Sequence, residues 1–459
     1  MIASDYQRFI ESKSQYGERQ GFDPVFMPDW LFDFQKHLVN WAVRLGRSAI
    51  FADCGMGKTP MQLVWAENVV RKTNKPVIIV TPLSVGLQTV GEAERFGIKA
   101  DRSRDGVMPA NANIVVTNYE QLHKYNPDDF SGMVCDESSA IKDFKSERKK
   151  TVVEFMRGMS YRLLCTATAA PNDYWELGTS SEALGYLGFR DMVTTFFKQE
   201  TSKDHHGWGR TKYRFRGHAE EPFWSWVCSW ARSLRRPSDL GFADDKFVLP
   251  KLNEQEFVVE TKALRDGYLI PMAAKDMREE RQERRMSMDE RCDKAVEIAN
   301  AVGDDKPCVL WCELNPEADQ LERMIPGSVQ VSGSMKDEAK EEAFHAFTTG
   351  QIKRLITKPK IGAWGLNWQH CADTVVFPSH SYEQYYQLVR RFYRFGQTKQ
   401  VNVSLVVCEG EEGIVKSLNR KQHQTSRLFD LIVRHMRDSM SLVSRDYFPE
   451  SERIPSWLA

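Results

Sequence analysis

The sequence predicts an α/β chain of two lobes. Each is a mostly parallel sheet with helices on both faces, and a small helical insertion rich in aromatic and basic residues separates them. Three observations predict this. Short continuous apolar runs alternate with helix-length stretches in two separate parts of the chain, and such strands between helices belong to parallel sheets covered on both faces. Polar clusters fall at the carboxyl end of those runs, the edge at which such sheets bind ligands. Finally, an apolar strand, a Gly-rich turn and a helix follow one another over residues 48–66.

Bulk composition narrows the function classes. The 459 residues are 41% hydrophobic, 11% aromatic and 27% charged, a globular balance whose length suggests about two to four domains. Lys plus Arg and Asp plus Glu both number 63, so the net charge is zero and any nucleic-acid surface has to be a local patch. Nine cysteines carry no C-x-x-C pair and read as reduced core residues, and no Cys/His cluster has zinc-ligand spacing. The first residues show no signal-peptide pattern and no apolar run is long enough to cross a bilayer. The expectation is a soluble, cytoplasmic protein that does not engage membranes.

In chain order, residues 1–24 read as a polar extension with one short helix over Tyr6–Lys13. Residues 25–185 form the first lobe. Its helix Leu31–Leu45 carries Leu31, Phe34, Leu38, Trp41, Ala42 and Leu45 on one face. Apolar runs at Ser48–Phe51, Val77–Val80, Ile114–Val116, Met133–Cys135 and Arg162–Cys165 are its strands, and Gly86–Phe96 is a helix. Residues 186–255 break the rhythm. They hold Arg210, Lys212, Arg214 and Arg216 interleaved with aromatic residues, and Trp224, Trp226 and Trp230, which read as a small packed core. A charge run over Met277–Asp293 has helical character. The second lobe, 256–415, takes strands at Cys308–Cys312, Val329–Val331, Arg354–Thr357, Thr374–Phe377 and Val401–Val407, with helices Glu317–Ile325, Lys336–Phe347 and Tyr382–Arg394. A helical tail, 416–459, follows.

The chemistry starts at Ala52-Asp53-Cys54-Gly55-Met56-Gly57-Lys58-Thr59. Glycines let backbone amides turn around a phosphate, Lys58 can reach β/γ-phosphates, and the Thr59 hydroxyl can ligate Mg²⁺. The first glycine of the usual phosphate-loop pattern is Ala52. Asp136-Glu137 ends an apolar strand. One carboxylate there can hold Mg²⁺ while its neighbour orients the attacking water. The alternating basic and aromatic residues of 210–216 fit either a grip on a phosphate backbone with stacked bases or a strand with one charged and one buried face.

These motifs resemble a superfamily 2 helicase core, most closely its SNF2-like branch, over about residues 30–410 and in the family's order. Gln35 matches the adenine-reading glutamine. Thr81-Pro82-Leu83-Ser84-Val85 resembles C-P-L-S-L, and Thr117-Asn118-Tyr119-Glu120 resembles T-x-Y-E. Asp136-Glu137-Ser138-Ser139 stands for D-E-A-H, and Thr166-Ala167-Thr168 with Pro171-Asn172 for T-G-T-P-L-Q-N. In the second lobe, Gly362-Ala363-Trp364-Gly365-Leu366-Asn367 resembles G-G-x-G-L-N. Gln387 to Gln397 matches Q-x-x-x-R-x-x-R-I-G-Q in spacing. Ser138-Ser139 replace Ala-His, and Lys358-Pro359 stand where Ser-Thr is usual. Compact chains of this kind resemble bacteriophage and prophage helicases.

The resemblance implies two RecA-like lobes and an ATPase that moves along DNA, in phage or bacterial replication, recombination or repair. An RNA helicase and a clamp or recruitment module are the alternatives. It implies ATP and Mg²⁺ as cofactors. Catalysis falls to Lys58, Glu137, Arg391 and Arg394. Nucleotide binding falls to Gln35, Asp53, Cys54, Gly55, Met56, Gly57, Lys58, Thr59, Asp136 and Gly365, with Thr59 and Asp136 on the metal. Nucleic-acid contacts fall to Thr81, Pro82, Thr117, Asn118, Tyr119, Arg210, Lys212, Arg214 and Arg216. Replication or recombination factors are the implied protein partners.

Overall fold

The computed structural model describes residues 20–83, 85–109, 113–170, 173–203, 209–260, 277–362 and 366–442. The chain divides into two compact units, Met1–Asp245 with Gln424–Ala459, and Lys246–His423.

The first unit is a seven-stranded sheet in the order β3-β4-β2-β5-β6-β1-β9, with every pairing parallel. The strands are β1 (Arg47–Ala52), β2 (Val77–Thr81), β3 (Ala100–Arg102), β4 (Ile114–Asn118), β5 (Gly132–Asp136), β6 (Tyr161–Thr166) and, beyond a hairpin, β9 (Ala231–Leu234). Every residue of β2, β4 and β5 is buried, as continuous apolar strands in a doubly covered sheet require. The helices are α1 (Asp33–Leu45), α2 (Lys58–Thr73), α3 (Gly86–Arg95), α4 (Glu147–Met156), α5 (Leu177–Leu184), α6 (Phe189–Phe196) and α7 (Glu220–Trp230). The antiparallel hairpin β7 (Phe197–Lys203) and β8 (Gly209–Phe215) stands apart from the sheet.

Part of the 186–255 stretch belongs to the first sheet. Its strand β9 pairs with Ala49–Ala52 of β1 and completes the first sheet. Phe223, Trp224, Trp226 and Trp230 are at most 1% exposed, and Trp230 sets its ring edge-on against Phe51 of β1 at 6.2 Å. The expected small core is thus an extension of the first unit's core. The final helix, expected as a helical tail, packs within the first unit from Gln424 on. Leu428, Phe429, Ile432 and Met436 are buried, the Cys228 thiol donates to the Ile432 carbonyl, and Arg437 donates to the carbonyl of Asp239.

The second unit is a six-stranded sheet in the order β10-β15-β14-β11-β13-β12, again wholly parallel. Its strands are β10 (Leu252–Val259), β11 (Cys308–Trp311), β12 (Ser328–Val331), β13 (Arg354–Thr357), β14 (Asp373–Val376) and β15 (Val401–Cys408). Its helices are α8 (Met277–Met286), α9 (Met288–Ala301), α10 (Asn315–Met324), α11 (Asp337–Thr348), the short α12 (Pro359–Gly362), α13 (Tyr382–Val389) and α14 (Glu412–Leu442), which runs on into the first unit's residues. Trp311, Phe347, Trp368 and Phe392 centre one core face, and Cys308, Leu310, Leu321 and Val406 the other.

The helix expected over Tyr382–Arg394 stops at Val389. Arg391 and Phe392 donate to the carbonyls only three residues back, Leu388 and Val389, so the backbone leaves the helix as a tight turn. All nine cysteines are free and buried. Among the described residues no helix is long and apolar enough to cross a membrane. The expected Tyr6–Lys13 helix lies outside the described residues.

Candidate active site

The phosphate-loop residues leave β1 at the carboxyl edge of the first sheet. Gly55 (φ 87°) and Gly57 (φ 76°) take the left-handed backbone. Gly57 immediately precedes α2, and a Cβ there would lie 2.2 Å from Gln35 Nε2, so both conformation and space demand glycine. Inside the loop, the Met56 amide donates to the Asp53 carbonyl at 3.2 Å, and the Cys54 amide to Asp53 Oδ1 at 2.6 Å. Among the described residues, the amides of Gly55, Gly57, Lys58 and Thr59 find no backbone acceptor. Amides left over at a helix start, next to a lysine, form an anion site.

Lys58 Nζ donates to the Ala52 carbonyl at 3.0 Å. Burial alone would push its pKa down, but Cys54, Glu137, Asp136 and Asp53 outweigh it and hold the ammonium above its ordinary range. Gln35 clamps the loop from α1. Its Nε2 donates to the Met56 carbonyl at 3.0 Å, and its Oε1 accepts the Phe32 amide at 3.1 Å.

The acidic pair ends β5. The strand order sets β6 between β5 and β1, so Thr166 at the end of β6 falls between the acidic pair and the loop. Thr166 Oγ1 donates to Glu137 Oε2 at 3.2 Å and accepts the Thr168 amide at 3.0 Å. Glu137 itself sits at φ 50°, ψ 56°. A non-glycine residue there costs about 1 kcal/mol or more, and such strain concentrates at functional positions. Asp136 Oδ1 accepts from Gln62 Nε2 at 2.7 Å. Burial, then the Glu137 carboxylate, push the Asp136 pKa up to about 6, while Gln62 and Lys58 pull the other way.

Sequence reasoning missed Gln62 as a site residue. It stands four residues after Lys58 on α2, hence on the same helix face, and that spacing was the available signal. It also missed the role of Thr166. The hydroxyls of Ser138, Ser139 and Thr168 are buried with no hydrogen-bond partner among the described residues. A site prepared for oxygen-rich ligands or water has such groups.

The residues expected to touch nucleic acid fall in two groups, one at the ends of β2 and β4 and one on β8 and just after it. Thr81 and Thr117 are buried at the ends of the adjacent strands β2 and β4, with the Thr81 hydroxyl donating to the Pro82 carbonyl at 3.0 Å. The Asn118 side chain accepts the Gln121 amide and caps the following turn. Tyr119 is 5% exposed and its hydroxyl donates to the Asp136 carbonyl at 2.7 Å, so it holds the acidic strand end. Arg210 and Lys212 lie on β8. Arg214 is exposed and paired with Glu200 at 3.0 Å, and the Arg216 guanidinium donates to the Phe197 carbonyl. Tyr213 and Phe215 are half-buried between the exposed Arg214 and Arg216, the pattern of a strand with one charged face.

In the second unit, Arg391 is 3% exposed. Its Nε donates to the Gln387 carbonyl at 3.0 Å, Nη1 to the Leu366 carbonyl at 2.9 Å and Nη2 to Gln387 Oε1 at 3.1 Å. These bonds hold Arg391, just beyond the end of α13, against Gln387 and Leu366 of its own unit. Arg394 is half-buried and donates to Asn367 Oδ1. Gly365 lies outside the described residues. Among the described residues no three His, Cys, Asp or Glu are grouped to hold a metal. Mg²⁺ does not demand such a group, since one or two carboxylates with substrate phosphates suffice, and Asp136 with Thr59 is a donor set of that kind.

Comparison with known proteins agrees with this architecture. No family model matches the chain. Over 201 residues it is 28% identical to the chromatin-remodeling ATPase INO80 of Kluyveromyces lactis, covering 37% of this chain and 13% of that protein. It is 27% identical over 210 residues to the same ATPase of Eremothecium gossypii, covering 39% of this chain and 14% of the other. The chain thus spans about one-seventh or less of the length of these relatives. Among solved structures it resembles S. cerevisiae Dbp5 bound to RNA and ADP BeF3, with a TM-score of 0.56 and 12% identity over 89% of this chain and 98% of that one. The two parallel-sheet units share the fold of that structure, and the phosphate-loop edge of the first unit is the candidate active site.

Proposed function

We propose that the chain is an ATP-dependent DNA translocase or helicase. The observation that carries this reading is the convergence of Lys58, Asp136 and Glu137 on one sheet edge, with Thr166 hydrogen-bonded to Glu137. Sequence likeness to chromatin-remodeling ATPases supports DNA as the polymer. The fold's likeness to an RNA-bound protein favours a second reading, an RNA-dependent ATPase. The proposed setting is the cytoplasm of a bacterium or phage-infected cell, in DNA replication, recombination or repair.

In this reading the loop amides and the Lys58 ammonium bind the β- and γ-phosphates. Asp136, oriented by Gln62, and Thr59 would hold Mg²⁺, which supplies charge neutralisation on the phosphate oxygens. The Glu137 carboxylate orients the attacking water and takes its proton. Its hydrogen bond to Thr166 fixes the carboxylate and links it to the segment after β6, whose Thr168 amide shares the same hydroxyl. Gln35 holds the Met56 carbonyl and so couples the loop to α1.

Phosphate release measured with no polymer, then with single-stranded DNA, duplex DNA and RNA, tests the proposal. Stimulation by DNA above RNA is expected. Stimulation by RNA alone selects the second reading, and no stimulation by any polymer removes both.

A further inference from the structure

The two parallel sheets end in four edge strands, β3, β9, β10 and β12. An edge strand carries unpaired backbone groups that invite another chain, so proteins shorten, cover or cap such strands. Three of the four are managed in these ways. β3 is three residues long. β9 is buried at every residue but Arg232. β12 has four residues, and its Gln330 amide donates to the Glu322 carboxylate at 3.1 Å, so a side chain caps that edge.

β10 is different. It is eight residues long, pairs with β15 without interruption from Leu252 to Val259, and contains no proline, glycine or lysine. Successive residues of a strand turn their N–H and C=O groups to opposite edges, so half of β10 aims its donors and acceptors away from β15. Among the described residues no strand pairs with that free edge.

The side chains alternate between the faces of the strand as well. Asn253 Nδ2 donates to Asn402 Oδ1 of β15 at 3.2 Å, and the Lys294 ammonium of α9 lies 5.3 Å from the centre of the Phe257 ring, so the face of the odd-numbered residues is covered. On the other face the Tyr385 hydroxyl of α13 donates to the Glu254 carboxylate. Beyond that contact Glu256, Val258 and Glu260 are exposed, Val258 by 54%. Glu256 and Glu260 form no ion pair among the described residues. The open face is thus a row of three carboxylates and one apolar side chain, set beside a line of unpaired backbone groups.

We infer that the free edge of β10 accepts an extended segment of a partner protein as an added strand. That segment carries Lys or Arg at alternate positions and an apolar residue where it passes Val258. In this mode main-chain hydrogen bonds supply affinity and alternate side chains supply selectivity. Opposite charges on neighbouring strands attract and like charges repel. A second copy of β10 therefore fits poorly. In parallel pairing each glutamate meets its own copy, and in antiparallel pairing about Glu256 or Phe257 glutamates meet again. A nucleic-acid strand is repelled by the same carboxylates. The inference rests on no part of the ATPase reading.

The test uses the full chain and a labelled peptide, long enough to span β10, that alternates arginine with threonine. A second peptide is the same but N-methylated at every backbone amide, which keeps the charges and removes strand pairing. Binding is read by fluorescence anisotropy, and hydrogen exchange reads protection of the amides of residues 252–259. Wild type is compared with Glu256→Lys/Glu260→Lys and with Asp304→Lys/Asp305→Lys, an equal charge change on the exposed turn before β11. Thermal melts check folding. Wild type and the turn variant should bind the first peptide, reject the methylated one and gain protection in β10. The Glu256→Lys/Glu260→Lys variant should bind it about tenfold or more weakly and prefer a peptide alternating glutamate with threonine. Equal binding of the methylated peptide, an equal loss in the turn variant, no gain of protection in β10, or no binding by wild type each overturns the assignment. Sedimentation at rising protein concentration is the last arm. A dimer whose formation protects the same β10 amides would give the edge to a second copy and would also overturn it.

Discussion

The carboxyl edges of the two sheets share a topology and differ in charge. In the first unit Asp53, Asp136 and Glu137 surround a single ammonium, Lys58. In the second, three arginines and a lysine face one glutamate, Glu313. The acidic edge is tightly restrained, because Gln62, Thr166, Gln35 and the Ala52 carbonyl each hold one of its functional groups or the loop itself. The basic edge sorts its arginines. Arg391 and Arg284 are tied to their own unit, whereas Arg281 and Arg285 stand exposed. A restrained acid–cation cluster suits chemistry on a phosphoanhydride, and of the two edges the acidic one carries it.

The contrast between the edges is open to direct challenge by substitution, and the largest effects are expected at the acidic one. Lys58→Ala and Glu137→Gln should each lower ATP turnover by about 10³-fold or more in phosphate-release assays, since the first removes the ammonium aimed at the phosphates and the second the carboxylate that takes the attacking water's proton. Wild-type rates in either would mean the acidic edge is structural. Arg391→Ala and Arg394→Ala should separate. The first deletes three hydrogen bonds of a buried guanidinium and should cost about 2–4 kcal/mol of stability in denaturant melts. The second should cut turnover while sparing ATP binding, and an equal loss of binding would refute a transition-state role for Arg394.

Gln62→Leu should reduce turnover by about tenfold at neutral pH. The deleted amide favours the ionised form of Asp136, so its carboxyl titrates higher and the acid limb of the rate profile moves up in pH. A limb that stays in place would deny Gln62 its positioning role. The smallest effect is on the protein without nucleotide. Asp136 titrates near 6 when folded and near the ordinary carboxyl value of 3.8 when unfolded, so the native state holds the extra proton. Its contribution to stability is therefore full below about pH 4 and is lost as pH rises to about 6. Relative to wild type, Asp136→Asn should gain melting temperature over that window, by about 2–4 °C per kcal/mol. A constant difference from acid to neutral pH would contradict the shift.

Much of this is legible in the sequence because it rests on local patterns. Continuous apolar runs such as Val77–Val80 and Ile114–Val116, rich in β-branched residues, read as covered strands, and Gly57 before Lys58 marks a helix start under constraint. What is not legible depends on distant partners. Ala231-Arg232-Ser233-Leu234 is short and half polar, and only its pairing with β1 makes it a strand. Nothing local stops α13 at Val389, since good helix formers continue beyond it, so no local signal announces the bonds of Arg391 to Gln387 and Leu366. Tyr119 matches a motif, but the motif does not reveal that its hydroxyl meets the Asp136 carbonyl across the strand order. The charge run over 277–293 by itself reads as a solvated helix, and only the segments after β11 and β14 turn its arginines into a cavity wall.

The central claim is that the acidic edge hydrolyses ATP in response to a nucleic acid. Steady-state phosphate release by the full chain, measured with and without single-stranded DNA, duplex DNA and RNA, tests it most directly. The account predicts a low basal rate that DNA raises and Glu137→Gln abolishes. A rate unchanged by every polymer, or one that survives Glu137→Gln, would contradict it.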